Sequence, residues 1–192
     1  EFNEMHCSMP NFTGNKILFS QQMYKVSYYD FIKNDSTISQ IPINVTGYPM
    51  GQVTWSLDDK YIYYISLNPY GTKSYSFETN QSTDLYSGGI YLSTVPGHND
   101  QLAILESIDY IQSKLIILNI NTRSVVKEYD NIPFYSSFRM LNDNDKVFFD
   151  GDLAIYSLNK QKAFYMRFYN INPNGGVGEA DINMEGNQLV ID

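Results

Sequence analysis

The chain has 192 residues, 43% of them apolar and 15% aromatic, enough to bury a core in one domain and too apolar for a disordered chain. Its formal charge is −8, with Lys and Arg scattered singly, so a phosphate backbone would be repelled and no nucleic-acid partner is expected. No apolar run approaches the ~20 residues of a membrane span, and the single Cys7 excludes an intrachain disulfide.

In chain order, residues around Met5 to Pro10 predict one inner strand. Glu1-Phe2 opens the chain without Met and without a leader peptide, so a processed chain, an expression remnant and part of something longer all stay open. Thr13-Gly14-Asn15 then predicts a turn into the strand Lys16-Ile17-Leu18-Phe19-Ser20. Lys25-Val26-Ser27-Tyr28-Tyr29-Asp30-Phe31 predicts an alternating strand, followed by the polar turn Lys33-Asn34-Asp35-Ser36 and a more polar strand.

The same succession returns. Leu57-Asp58-Asp59-Lys60 leads into Tyr61-Ile62-Tyr63-Tyr64, then Lys73–Phe77 and the turn Thr79-Asn80-Gln81-Ser82. His98-Asn99-Asp100-Gln101 leads into Leu102–Leu105, then Leu115–Ile120, the turn Asn121–Ser124 and the edge strand Ser124–Tyr129. Asp143-Asn144-Asp145-Lys146 leads into Val147–Phe149, then Leu153–Leu158 and the turn Asn159–Lys162. A fifth unit begins near Gly178, with Glu185-Gly186-Asn187-Gln188 ahead of Leu189-Val190-Ile191. Subtracting residue numbers, the long polar residue after each turn (Lys16, Lys60, Gln101, Lys146, Gln188) recurs at intervals of 44, 41, 45 and 42, the range of four-stranded propeller blades.

Each unit has a physical logic. Asp, Asn and Gly tolerate the positive φ of a tight turn. The continuous apolar run after the turn suits a strand covered on both faces. Polar, charged last strands suit a sheet edge. The expected fold is therefore all-β: one β-propeller or partial propeller domain over residues 1–192, with four repeats of four antiparallel strands plus the start of a fifth. Continuation into a larger ring is the leading expectation. A small four- or five-bladed ring and an open stack completed between chains are the alternatives.

On these residues the chain resembles TolB-type and WD-repeat-like propellers. Trp55-Ser56-Leu57-Asp58-Asp59-Lys60-Tyr61-Ile62-Tyr63-Tyr64 is similar to their strand, Ser-Pro-Asp-Gly-Lys, strand phrase. Leu115-Ile116-Ile117-Leu118-Asn119-Ile120-Asn121-Thr122-Arg123-Ser124 is similar to their Ile-Tyr-x-Leu-Asp-x-x-Thr-Gly phrase. The Gly-His and Trp-Asp pairs of true WD repeats are missing. The resemblance implies architecture and carries over no catalytic residue.

Motifs for chemistry are sparse. His6 and Cys7, adjacent on an extended segment, point to opposite faces and cannot form a nucleophile–base pair. His98 reads as a solvated turn residue. Asp143-Asn144-Asp145 and Asp150-Gly151-Asp152 lack the remaining ligands of a calcium loop and read as turns. Asn172–Gly178 lacks the ending of a phosphate loop. No catalytic, cofactor or metal residue is nominated. Four Asn-x-Ser/Thr triplets, at Asn11, Asn34, Asn44 and Asn80, are N-glycosylation candidates, close in number to chance. Asn34 and Asn80 fall in equivalent outer turns, and Asn44 is expected in an inter-blade loop. Tyr24, Tyr28, Tyr29, Tyr61, Tyr63, Tyr64 and Tyr75 either form a ligand-binding face or pack between blades with hydroxyls at the rim.

The expected function is a non-enzymatic, extracellular or cell-surface propeller glycoprotein, without cofactor. It would bind a protein or glycan partner, or assemble through open sheet edges. The alternative, implied by the resemblance, is the propeller portion of a larger enzyme such as a prolyl-oligopeptidase-type serine peptidase.

Overall fold

The computed structural model describes residues 8–22, 25–33, 38–45, 52–108, 112–134 and 136–165, and the backbone of two short strands between 180 and 191. Four antiparallel four-stranded sheets form the blades of a β-propeller, and no helix occurs among the described residues. Blade 1 is β1 (Ser8–Pro10), β2 (Lys16–Gln22), β3 (Lys25–Asp30) and β4 (Ser39–Asn44). Blade 2 is β5 (Val53–Trp55), β6 (Tyr61–Leu67), β7 (Tyr70–Ser76) and β8 (Gln81–Tyr86). Blade 3 is β9 (Tyr91–Thr94), β10 (Gln101–Ser107), β11 (Ser113–Asn119) and β12 (Ser124–Ile132). Blade 4 is β13 (Phe138–Met140), β14 (Lys146–Phe149), β15 (Ala154–Ser157) and β16 (Lys162–Tyr165). A fifth unit contributes the hairpin β17 (Ala180–Ile182) and β18 (Leu189–Ile191). Within every sheet the strands neighbour one another in chain order.

Register defines equivalence between blades. Ile17, Ile62, Leu102, Val147 and Leu189 pair with Pro10, Trp55, Thr94, Met140 and Ile182, so their residue numbers differ by 45, 40, 45 and 42. This corrects one expected correspondence. Tyr61 rather than Lys60 occupies the place of Lys16, because the inner turns of blades 1, 2 and 4 all hold five residues. In each, the first turn residue (Asn11, Ser56, Leu141) donates its N–H to the carbonyl of the sixth (Lys16, Tyr61, Lys146). The fourth residue donates back to the first and takes a left-handed φ: +70° at Gly14, +59° at Asp59 and +53° at Asn144. Gly, Asp and Asn bear that conformation at least cost.

The outer turn is built the same way four times. The carbonyls of Asn15, Lys60, Asp100 and Asp145 accept the N–H of Phe31, Phe77, Ile120 and Leu158, which ties the outer turn to the inner turn at one end of each blade. That end is called the lower end here; the hairpins between second and third strands form the upper end. The last residue of each third strand caps the outer turn: Asp30 accepts from Ile32 N, Ser76 from Thr79 N, Asn119 from Asn121 N and Thr122 N, and Ser157 from Lys160 N. Asx and Ser/Thr side chains do this because they reach a backbone donor two or three residues on.

Strand alternation sends neighbouring residues into different cores. In blade 3, Leu102, Ile104, Ile116 and Leu118 join Tyr63 and Ile65 of blade 2 in one core. Ala103, Leu105, Leu115 and Ile117 join Phe138, Met140, Val147 and Phe149 of blade 4 in another. Leu18, Val26 and Ile41 of blade 1 meet Trp55, Ile62 and Tyr64 of blade 2 in a third. Each blade thus has a leading face toward the preceding blade and a trailing face toward the next. The sequence pattern reads β11 as an alternating strand, like β3. It is buried from Leu115 to Leu118, because blade 3 has a neighbour on both faces.

Candidate functional site

Equivalent contacts latch blade to blade. The Trp55 indole N–H of blade 2 donates to the Met9 carbonyl of blade 1 at 3.1 Å, and the Met140 N–H of blade 4 donates to Ser93 Oγ of blade 3 at 3.0 Å. Met9 and Ser93 occupy one register position, as do Trp55 and Met140. At the lower end, Asp59 accepts from Phe12 N and Thr13 N at 2.9 and 3.0 Å, and Asn144 Nδ2 donates to the Pro96 carbonyl at 3.3 Å. These pairs lie 46 to 48 residues apart in sequence, slightly more than one blade spacing, and no local motif announces them.

The tyrosines do not form one exposed face. Tyr63, Tyr64 and Tyr75 are buried between blades, Tyr28 and Tyr29 are half-buried, Tyr61 is exposed, and Tyr24 lies outside the described residues. Tyr64 OH donates to Ser82 Oγ at 2.8 Å and Tyr75 OH to Asn80 Oδ1 at 3.0 Å, so their hydroxyls end at the outer turn. Burial pushes the Tyr63 hydroxyl well above its ordinary range, with the nearby Asp58 adding to the shift. Burial also raises Tyr86, helped by the charge of Glu106, to which it donates at 3.3 Å. Both shifts run against the phenolate that an activated nucleophile would need.

The glycosylation candidates separate by environment. Asn11 is buried (4% exposed); its Nδ2 donates to Asn15 Oδ1 at 2.7 Å and Thr13 Oγ1 at 3.0 Å, and its Oδ1 accepts from Lys16 N. It caps the inner turn, and a glycan on Nδ2 would have to break that cap. Asn44 ends β4 opposite Lys25 and is exposed, a strand residue and not the expected loop residue, because Ile41, Ile43 and Val45 take the inward positions. Asn80 is exposed on an outer turn with φ +55°, and its Oδ1 accepts from Tyr75 OH. Asn34 lies outside the described residues, as do His6, Cys7 and Asn172–Gly178.

The acidic turns are internally engaged. Asp143 accepts from Lys146 Nζ, Lys146 N and Asp145 N, and Asp150 accepts from Ser137 Oγ and Gly151 N. Among the described residues, no three His, Cys, Asp or Glu side chains are grouped so as to hold a metal ion. His98 is an exposed turn residue. No helix among the described residues is long and apolar enough to cross a membrane.

What remains is surface. Exposed large apolar side chains occur on the edge strands, at Val125 and Val126 of β12 and Phe164 and Tyr165 of β16, and at two sets of turns. Leu67 and Tyr70 on the β6–β7 hairpin and Ile108 after β10 stand at the upper ends of blades 2 and 3. Phe12, Phe31 and Ile32 stand on the two lower turns of blade 1.

With this geometry the solved relatives can be placed. The fold is that of TolB-like and WD-repeat-like propellers. TolB from Acinetobacter baumannii superposes with a TM-score of 0.59 at 13% identity, over 84% of this chain and 43% of that one. The β-propeller domain of Cps50 (Swd1) from Myceliophteria thermophila superposes at 0.64 with 11% identity, over 99% of this chain and 62% of that one. The chain thus spans less than two thirds of either structure. At such identities the likeness is one of fold alone. No known protein family and no curated protein matches the chain by sequence.

Proposed function

We propose that the chain is a protein-binding propeller scaffold and not an enzyme, and that it works at the cell surface or outside the cell as a glycoprotein. The observation that carries the binding reading is the apolar group Leu67, Tyr70 and Ile108, each about half exposed on neighbouring upper hairpins. Hairpin tips in a rigid sheet stack are inexpensive places to vary, and exposed apolar groups there serve recognition better than folding. The buried, protonated tyrosines and the self-satisfied acidic turns support a structural role for the polar groups that chemistry would otherwise use.

The glycoprotein part of the reading is supported by the exposure of Asn80 and Asn44. Two measurements test the proposal. A photoreactive phenylalanine analogue placed at Leu67 or Ile108 in cells that make the protein is expected to yield a protein adduct; a folded protein with no adduct at either place would contradict the scaffold reading. The intact mass of the native protein is expected to exceed that of the bare chain and to fall on deglycosylation. A mass equal to the bare chain would contradict the glycan.

A further inference from the structure

We propose that Asp150-Gly151 is a self-modification site, at which the main chain rearranges spontaneously to an isoaspartyl linkage through a cyclic imide. The inference is independent of the scaffold reading. The dipeptide opens the four-residue turn between β14 and β15, at the upper end of blade 4. The Leu153 N–H closes that turn on the Asp150 carbonyl at 3.2 Å.

The reaction needs two groups to meet: the backbone nitrogen of the residue after an aspartate and the carboxyl of that aspartate. Gly151 N donates to Asp150 Oδ1 at 2.6 Å, so nitrogen and carboxyl already sit against each other. Aspartates in the other turns aim further along the chain. Asp58 accepts from Lys60 N, Asp143 from Asp145 N and Lys146 N, and Asp145 from Asn159 N. The residues that follow them, Asp59, Asn144 and Lys146, also carry side chains that crowd the attacking nitrogen, and Gly151 carries none. The fold itself holds glycine at 151, because an added Cβ would lie 2.9 Å from Ser136 Cβ. Gly151 and Asp152 are exposed, so water reaches the turn.

The atoms balance with water as the only co-reactant. The Gly151 nitrogen attacks Cγ of the acid form of Asp150, and the Cγ–N bond replaces the Cγ–Oδ1 bond. Oδ1, which already accepts the Gly151 N–H, takes that proton with the acid proton and leaves as water. Oδ2 becomes an imide oxygen. Ser137 Oγ donates to Oδ2 and stabilises the negative charge that builds there during attack. Water then opens the imide at one of its two carbonyls. Opening at Cγ restores aspartate. Opening at the former main-chain carbonyl leaves the chain running through Cγ, one methylene longer, with no net change in mass. Strain favours the longer turn. Leu153 is held at φ +47°, a conformation that Gly or Asn bears at less cost.

The test follows isoaspartate in the folded protein during long incubation at physiological temperature, by peptide mapping with electron-transfer fragmentation. Isoaspartate is expected to accumulate at residue 150 without a mass change, which separates it from deamidation at Asn174-Gly175, where the mass rises. Ser137→Ala is expected to slow the folded-state reaction about fivefold, the worth of one hydrogen bond, and to leave the rate in urea unchanged. Ser137→Thr, which keeps the hydroxyl, is expected to keep the wild-type rate, and melting temperatures confirm that each variant is folded. Three results would overturn the proposal: no isoaspartate at residue 150 of the folded protein, isoaspartate there only in urea, or a folded Ser137→Ala variant that reacts at the wild-type rate. None of them bears on the cross-link at Leu67 or Ile108 that tests the scaffold reading.

Discussion

Asn144 of blade 4 donates to the carbonyl of Pro96 in blade 3, whereas Asp59, at the same turn position in blade 2, accepts two N–H groups from blade 1. The difference follows from the partner turn. Phe12 and Thr13 offer N–H donors, so a carboxylate serves. Pro96 has no N–H, so the reaching side chain must itself donate, and an amide serves. The buried Asn144 Oδ1, left without a partner, marks the place of the missing donor.

Asn144→Asp should therefore set a carboxylate against a carbonyl and destabilise the protein by about 1–3 kcal/mol, a drop of roughly 2–4 °C in Tm per kcal/mol for a chain of this size. Adding Pro96→Ala, which restores an N–H, should recover part of the loss. Asp59→Ala should cost about 1–2 kcal/mol from the lost charge-assisted bonds, with added strain at its positive φ. Urea unfolding of these three variants and of Pro96→Ala alone checks this; additive losses in the Asn144→Asp, Pro96→Ala pair would contradict the coupling.

Leu105→Ala should cost about 2–5 kcal/mol, since Leu105 is fully buried between blades 3 and 4. Gly89→Ala should also destabilise. Gly89 lies at φ +108°, and an added Cβ would come within 2.8 Å of both Ile104 Cγ2 and Thr72 Oγ1. Thermal unfolding reports both, and a neutral Gly89→Ala would show that the connection between blades 2 and 3 is looser than described.

Acid should weaken the lower turn of blade 4. Burial alone would raise Asp143, but hydrogen bonds from the Lys146 side chain and from the Lys146 and Asp145 N–H groups outweigh it and hold the carboxyl below its usual range. A carboxyl depressed in the folded state stabilises above its unfolded value, about 4, and loses that contribution as pH falls through the folded value. Asp143→Asn should therefore lower Tm at neutral pH and make Tm fall less steeply below about pH 4. An unchanged slope would contradict the assignment.

Alkali should act through tyrosine. Tyr63, Tyr64, Tyr75, Tyr86 and Tyr156 are all raised, each chiefly by burial. A hydroxyl raised in the folded state contributes stability that is complete below its unfolded value, about 10, and is lost as pH climbs beyond it. Ultraviolet titration should show these five tyrosines ionising only as the protein unfolds. Tyr63→Phe should shift that unfolding to higher pH.

The hairpins were legible because a doubly covered strand needs an unbroken apolar run and a tight turn needs Asp, Asn or Gly. Leu57-Asp58-Asp59-Lys60 announces both. It misled by one residue, since its resemblance to Thr13-Gly14-Asn15-Lys16 hides that Ser56, and not Leu57, opens the five-residue turn. Asn44 was misplaced because a following Gly47 suggests a loop, while the alternation of Ile41, Ile43 and Val45 extends the inward pattern past Asn44. Asn11 reads as a sequon, but as the first residue of the five-residue turn it spends its side chain on Thr13, Asn15 and Lys16 as a buried cap. The latches at Asp59 and Asn144 needed register: they are visible only once equivalent positions of different blades are laid over one another.

The central claim is that adjacent residues of one strand enter two different inter-blade cores. Methyl–methyl nuclear Overhauser contacts test it most directly at Ile104 and Leu105. Ile104 should show contacts to the Ile65 and Leu92 core, and Leu105 to the Val147 and Ile117 core, with no exchange between the sets. Contacts from both residues into a single common core would contradict the propeller.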